Sequence, residues 1–303
     1  MFEKIAVIEP INFDADAFEK LPLYAKEVVL FDDLPGSDEE IIQRVGQADC
    51  MLVSYTTKIN ARVIQACPRL KYIGMCCSLY DAKSANVDIE AAEQRGVVVT
   101  GVRDYGDEGV AEYVISELVR FLHGFYGPGW RQFPLEITNL KAGIVGMGAT
   151  GDIIGRALRY FGAEVSYFSR TRKPELEQRH GYRYLPLDAL LGQSSVLFTC
   201  LTRSTVVLRE AEFKRFGHGK ILFNTSMAPT YDMQALASWL ANTDNHIFCD
   251  TVSALGGESL LSLLNAHCPR QSSGITLQAK GRLGVKALQN IRNFLQNPAV
   301  YRA

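Results

Sequence analysis

The chain has 303 residues, 47% hydrophobic and 21% charged, with 32 Lys plus Arg against 33 Asp plus Glu and a formal charge of −1. That length exceeds the usual single domain and favours two, each with a real core. The charge balance gives no electrostatic reason to expect nucleic acid or an anionic membrane as partner, so the expected ligand is a small molecule.

No apolar run reaches the roughly 18 to 20 residues that span a bilayer, and the opening MFEKIAVIEP enters a strand without a leader pattern. The seven cysteines are odd in number and form no C-x-x-C. Neither a disulfide framework nor a zinc site is indicated, and a reducing cytoplasm is the expected location. Cys76 and Cys77 are adjacent; they read either as buried thiols at a strand end or as a redox pair.

The first hundred residues alternate strand and helix. KIAVIEP, EVVLFDD, CMLVSY, LKYIGMC and VVVTG read as strands, separated by helical stretches that include 37–48 and 60–66. The SDEE start of 37–48 offers a capping box. Glu108 to Leu122 has apolar residues at helical spacing, and HGFYGPGWRQFP then breaks the pattern as a loop, one candidate for a crossover between subunits. A second series follows in KAGIVGMG, AEVSYFS, SSVLFTCL, KILFNTS and HIFCDTV, and a last helix is expected from about 284 to 295. The rhythm implies α/β architecture: two Rossmann-like or flavodoxin-like domains with parallel sheets and a cleft between them.

Within the second series, Gly146-x-Gly148-x-x-Gly151 directly follows an apolar strand and opens an amphipathic helix. Glycine there permits the tight turn, close approach of backbone N–H groups to a pyrophosphate, and helix–strand packing. Thr150 belongs to the same cradle, where the helix N-terminus adds partial positive charge. About twenty residues on, a carboxylate would select the ribose hydroxyl of NAD. This chain instead has Ser169, Arg170, Thr171, Arg172 and Lys173. Hydroxyls followed by guanidinium groups suit a 2′-phosphate, so NADP(H) is favoured over NAD(H), although a solvated basic helix start would look similar.

With these motifs in order, nearly the whole chain resembles the D-isomer-specific 2-hydroxyacid dehydrogenases. The Val110-Ala111-Glu112 step resembles the start of that family's long helix, and the segment from Gly143 to Glu175 is similar to its cofactor fingerprint, with the basic end seen in NADP-preferring glyoxylate and hydroxypyruvate reductases. The resemblance implies a substrate domain of residues 1–101 plus 278–303, an inserted cofactor domain of residues 102–277, an active site in the cleft between them, and a homodimer joined near 108 to 135. It assigns Asn224 to the cofactor site and Asp250 to the nicotinamide carboxamide.

The same resemblance makes four departures visible. Where the family has Asn-Thr-Ala-Arg-Gly, Asn224, Thr225 and Ser226 are followed by Met227, so the Arg that pairs with the substrate carboxylate is replaced. Counting nineteen residues back from Asn290 places the family's proton-exchanging His at Gln271, which can donate a hydrogen bond but cannot deliver a proton. No acid aligns beyond Asp250-Thr251, and Glu258 is the nearest substitute. The family's Gly-rich substrate loop is also replaced, by CCSLYDAKSANVD. Tyr80 and Lys83 in that loop are candidates for a replacement donor and anchor, or members of an ordinary exposed loop. Of the histidines, His123, His180, His218 and His246 read as solvated, and His267 as one that could turn toward the cleft.

Two functions fit these residues. One is an NADPH-dependent reductase of a changed carbonyl or imine substrate; the other is a non-catalytic NADP(H)-binding sensor.

Overall fold

The computed structural model describes residues 1–202 and 205–298. The chain divides into two compact units, Met1–Tyr105 together with the segment from Ile275 onward, and Gly106–Gly274.

The first unit holds a five-stranded parallel sheet: β1 (Phe2–Val7), β2 (Ala25–Leu30), β3 (Cys50–Val53), β4 (Tyr72–Ser78) and β5 (Val98–Val102), in spatial order β2-β1-β3-β4-β5. The apolar runs are continuous because parallel strands bury both faces. Alternate residues go to opposite layers. Ile5 and Val7 face Ala17, Leu283 and Ile291, whereas Ala6 and Ile8 face Ile41, Val63 and Ile64. Short polar caps start the covering helices, with Asp14, Ser37, Asn60 and Asp88 each accepting a backbone N–H in the first turn. The expected capping box is only half formed, because Glu40 reaches past Ser37 to accept the Gly36 N–H at 2.7 Å.

The last helix runs Leu277–Gln296, capped by Thr276, and so begins earlier than expected. Its glycines are contact points rather than breaks. A Cβ on Gly284 would lie 2.3 Å from Ala17 Cβ, so glycine lets the Ala15–Lys20 helix pack closely against it.

The second unit begins with the helix Asp107–His123 and contains a seven-stranded parallel sheet. Its strands are β6 (Lys141–Val145), β7 (Glu164–Phe168), β8 (Arg183–Tyr184), β9 (Val196–Thr199), β10 (Ile221–Asn224), β11 (His246–Cys249) and β12 (Ala266–His267). Their order is β12-β11-β10-β9-β6-β7-β8, so the direction of winding reverses between β6 and β9. Phe198, Phe223 and Phe248 pack on the side of the helices 107–123 and 149–160, while Leu197, Leu222 and Ile247 pack on that of the helices 187–193, 210–216 and 233–240. β8 and β12 have two residues each, too short to stand out by periodicity. In the described residues, no helix is long and apolar enough to cross a membrane.

Candidate dinucleotide site

The winding reversal places the ends of β6 and β9 side by side, where open parallel sheets bind ligands. β6 stops at Val145, and Gly146 turns the chain at φ 100°, its N–H donating to Phe168 O at 2.8 Å. A Cβ on Gly146 would stand 2.2 Å from the Cys200 carbonyl oxygen, and one on Gly151 would stand 2.3 Å from the Gly146 carbonyl. These two glycines are therefore fixed by the protein itself. Gly148 differs, because a Cβ there meets nothing within 4 Å. It caps the helix Ala149–Tyr160 without any side chain on the first backbone N–H groups. Open space above an uncapped helix start is what a pyrophosphate needs, so this turn fits a dinucleotide. Thr150 takes a narrower part than expected. Its hydroxyl donates to Asp107 and so is engaged within the protein.

The end of β7 carries the basic loop. Ser169 is half-buried, and Arg170, Thr171 and Arg172 are exposed. Arg172 is engaged by Glu177 through Nε at 2.8 Å and Nη2 at 2.6 Å, and its guanidinium lies over the Tyr184 ring at 5.6 Å. Arg172 and the Tyr167 hydroxyl hold the Glu177 carboxyl far below the usual range, at about 2. Arg170 has no hydrogen bond or ion pair recorded among the described residues.

The turn after β10 is built around Asn224. Asn224 is fully buried, and its amide donates to Ala228 O and Ala254 O at 3.1 and 2.8 Å. Its oxygen accepts from Thr199 Oγ1, the Ser226 N–H and Thr230 Oγ1. Its side chain is thus engaged within the protein, where it builds the turn. Ser226 and Thr225 lock the same turn onto the end of β9. Met227 emerges from this frame 47% exposed, with only its carbonyl tied down, by Ser253 Oγ at 3.1 Å.

One strand over, Asp250 leaves β11 half-buried. Its Oδ2 accepts the Ser273 N–H at 2.9 Å and hydroxyl at 2.8 Å, while its carbonyl accepts the Gln271 N–H at 2.9 Å. The Gln271 side chain is exposed. Met227 and Gln271 thus leave the same C-terminal edge of the sheet, the positions after β10 and after β12. Glu258 lies further on, exposed at the start of a 3₁₀ turn.

Tyr80 and Lys83 belong to the first unit. Tyr80 precedes and Lys83 lies within an Asp81-capped 3₁₀ turn (Ala82–Ser84), and both are exposed; Arg103 lies over the Tyr80 ring at 5.3 Å and donates to the carbonyls of Leu79 and Tyr80. The winding reversal of this unit's sheet is occupied by its own acid. Glu9, fully buried, accepts the Ser54 and Thr57 N–H groups and the Thr57 hydroxyl at 2.8, 3.3 and 2.7 Å. The Ser54 and Thr57 backbone donors at that reversal are thus taken by Glu9, whereas the Gly148 turn is open.

His246 is not solvated as expected, and His267 does not turn outward. Their rings meet at 3.2 Å between Nδ1 and Nε2, with Phe248 stacked on His267 at 4.2 Å and Phe121 edge-on to His246 at 4.5 Å. Burial pushes both imidazoles down to about 4. Strand register could have exposed this pair only once the two-residue β12 was recognised. All seven cysteines are free, and Cys76 and Cys77 are buried.

A glycine turn at the reversal of a Rossmann-ordered sheet, followed by a cationic loop, defines an α/β oxidoreductase of the nicotinamide-dinucleotide-binding class. Residues 5–302 match the family of D-isomer specific 2-hydroxyacid dehydrogenases, catalytic domain, and the chain belongs to that family. It is 30% identical over 237 residues to a glyoxylate reductase of Thermococcus onnurineus, covering 70% of each chain. It is 26% identical over 300 residues to a hydroxypyruvate reductase of Blautia hydrogenotrophica, covering 90% of this chain and 91% of that one. Among solved structures, an acyclic imino acid reductase in complex with NADPH and D-Arg has the same fold, with a TM-score of 0.80 at 20% identity, covering 98% of this chain and 99% of that one.

Proposed function

We propose that this protein is an NADPH-dependent reductase on the 2-hydroxyacid dehydrogenase scaffold, acting on a carbonyl or imine substrate other than a simple 2-oxoacid. The observation that carries the cofactor choice is Arg170, exposed at the end of β7 where an acid would select NAD, and without a counterion among the described residues. In this reading the pyrophosphate sits over the turn at Gly148 and the Thr150 N–H, with Gly146 and Gly151 shaping the turn that presents them. Ser169, Arg170, Thr171 and Arg172 face the 2′-phosphate, and Asp250, steadied by Ser273, takes the nicotinamide carboxamide. The bound nicotinamide supplies the hydride.

The changed substrate follows from Met227 and Gln271. A thioether cannot pair with a carboxylate, and an amide cannot exchange a proton at neutral pH; losing a general acid–base costs roughly 10² to 10⁴ in rate. An iminium already carries its proton and needs less from Gln271. Tyr80 and Lys83 are the proposed replacement donor and anchor, contributed by residues 1–101 and 278–303 acting as the substrate domain. The glyoxylate and hydroxypyruvate reductases among the relatives support the reaction class. The cytoplasm and a homodimer complete the proposal.

Titration of the purified protein with NADPH and NADH, followed by a screen of carbonyl and imine substrates at 340 nm, tests this. NADPH is expected to bind more tightly and glyoxylate to turn over poorly. Equal affinities would overturn the cofactor reading, rapid glyoxylate reduction the substrate reading, and tight NADPH binding without turnover of any substrate would favour the sensor.

A further inference from the structure

We propose that Glu177 sets the strength of cofactor discrimination by neutralising Arg172, so that Arg170 is the one guanidinium of the basic loop left to attract a 2′-phosphate. The inference rests on the NADP(H) reading above and concerns a residue outside the family's fingerprint.

Three observations converge on Glu177. It sits on the helix Pro174–His180, immediately beyond the basic loop, and its side chain is 15% exposed whereas that of Arg172 is 61% exposed. The carboxylate covers two donor positions of the guanidinium, Nε and Nη2, in a bidentate pair. It is anchored from behind as well: the Tyr167 hydroxyl donates to its Oε1 at 2.7 Å and in turn accepts the Lys173 N–H at 2.7 Å. Tyr167 is wholly buried on β7, so the acid is fixed by the sheet and the arginine comes to it. With its carboxyl at about 2, Glu177 is ionised at neutral pH.

The consequence is electrostatic. An Arg–Glu pair is neutral as a unit, and a 2′-phosphate approaching it meets a carboxylate as well as a guanidinium. Arg172 therefore contributes less to phosphate affinity than its sequence position suggests, and Arg170 contributes more. NADH lacks the phosphate and is insensitive to the balance. The arrangement tempers the preference for NADP(H) in a chain whose loop would otherwise present two uncompensated guanidinium groups.

Dissociation constants for NADPH and NADH, measured by fluorescence on the full chain, test the proposal in wild type, Glu177→Gln, Arg170→Ala, Arg172→Ala and the double variant Glu177→Gln/Arg172→Ala. Glu177→Gln is expected to tighten NADPH by about three- to fivefold, in line with the energy of an exposed ion pair, with NADH unchanged. Arg172→Ala alone is expected to weaken NADPH less than Arg170→Ala, and in the double variant the gain disappears. Weaker NADPH binding by Glu177→Gln with NADH unchanged would show that the acid orients Arg172 for the phosphate, overturning the proposal, as would no change at all. Should Glu177→Gln unfold, the ranking of the two arginine variants decides alone: equal losses, or a larger loss at Arg172, overturn it. A wild type without NADPH preference refutes the underlying cofactor reading separately, since the shift caused by Glu177→Gln is read relative to wild type.

Discussion

Gly146 and Gly148 stand two residues apart in one turn and are held to glycine by different causes. Gly146 has a positive φ and a carbonyl 2.2 Å from where a Cβ would be, so Gly146→Ala strains the backbone and displaces the end of β9. Gly148 has φ −93°, open to any residue, and free space around it. Gly148→Ala is expected to leave the melting temperature within a degree or two and weaken NADPH at least tenfold, on the order of 1.4 kcal/mol. Gly146→Ala is expected to lower the melting temperature as well. Thermal melts and titrations on both variants check this; unaltered NADPH affinity in Gly148→Ala would remove the pyrophosphate from that turn. The sequence pattern names all three glycines alike, and only the surroundings of each separate the packing role from the ligand role.

At the scale of elements, the join between β11 and β12 carries a pH dependence. His246 and His267 are neutral in the fold, lowered from 6.5 to about 4 chiefly by burial; neighbouring His246 and then Arg120 add to the shift of His267, while Asp244 opposes and Arg131 adds to that of His246. The unfolded chain binds protons between those values and the folded chain does not. Stability is therefore full above about pH 6.5 and falls as pH drops toward 4. His267→Phe, which keeps the stack on Phe248, is expected to remove part of this pH dependence. Urea unfolding at pH 7.5 and 5.0 checks the slope. Sequence reading took these histidines as separate because the pairing register of β12, two residues long, is invisible without its neighbour. The final helix shows the same effect: Gly281 and Gly284 look like interruptions until Asp14 and Ala17 are found against them.

For the whole molecule, the proposed homodimer draws on the segment after the long helix, where Phe125, Tyr126 and Phe133 are 50%, 101% and 72% exposed and Trp130 Nε1 is buried without a partner. Aromatic exposure on this scale is costly in a monomer. Sedimentation is expected to give twice the chain mass of 33.6 kDa, with Phe133→Asp shifting the population toward monomer. A wild type of single-chain mass at micromolar concentration would refute the dimer.

The sequence by itself determined the strand-and-helix alternation, the phosphate turn, the cationic loop and the family, because these depend on local periodicity and on short motifs whose chemistry lies within a few residues. The proposed replacement of the family's Arg and His by Met227 and Gln271 also comes from the sequence, by counting along the resemblance. The tertiary structure alone decided what the polar residues around them do. Asn224 is spent on Ala228, Ala254, Thr199 and Thr230, Thr150 on Asp107, Glu9 on Ser54 and Thr57, and Arg172 on Glu177. A side chain's available hydrogen bonds depend on which partners the fold brings within about 3 Å, and most of those partners are far away in the chain. Gly148 and Arg170 remain open to a ligand for the complementary reason: the fold brings nothing to them.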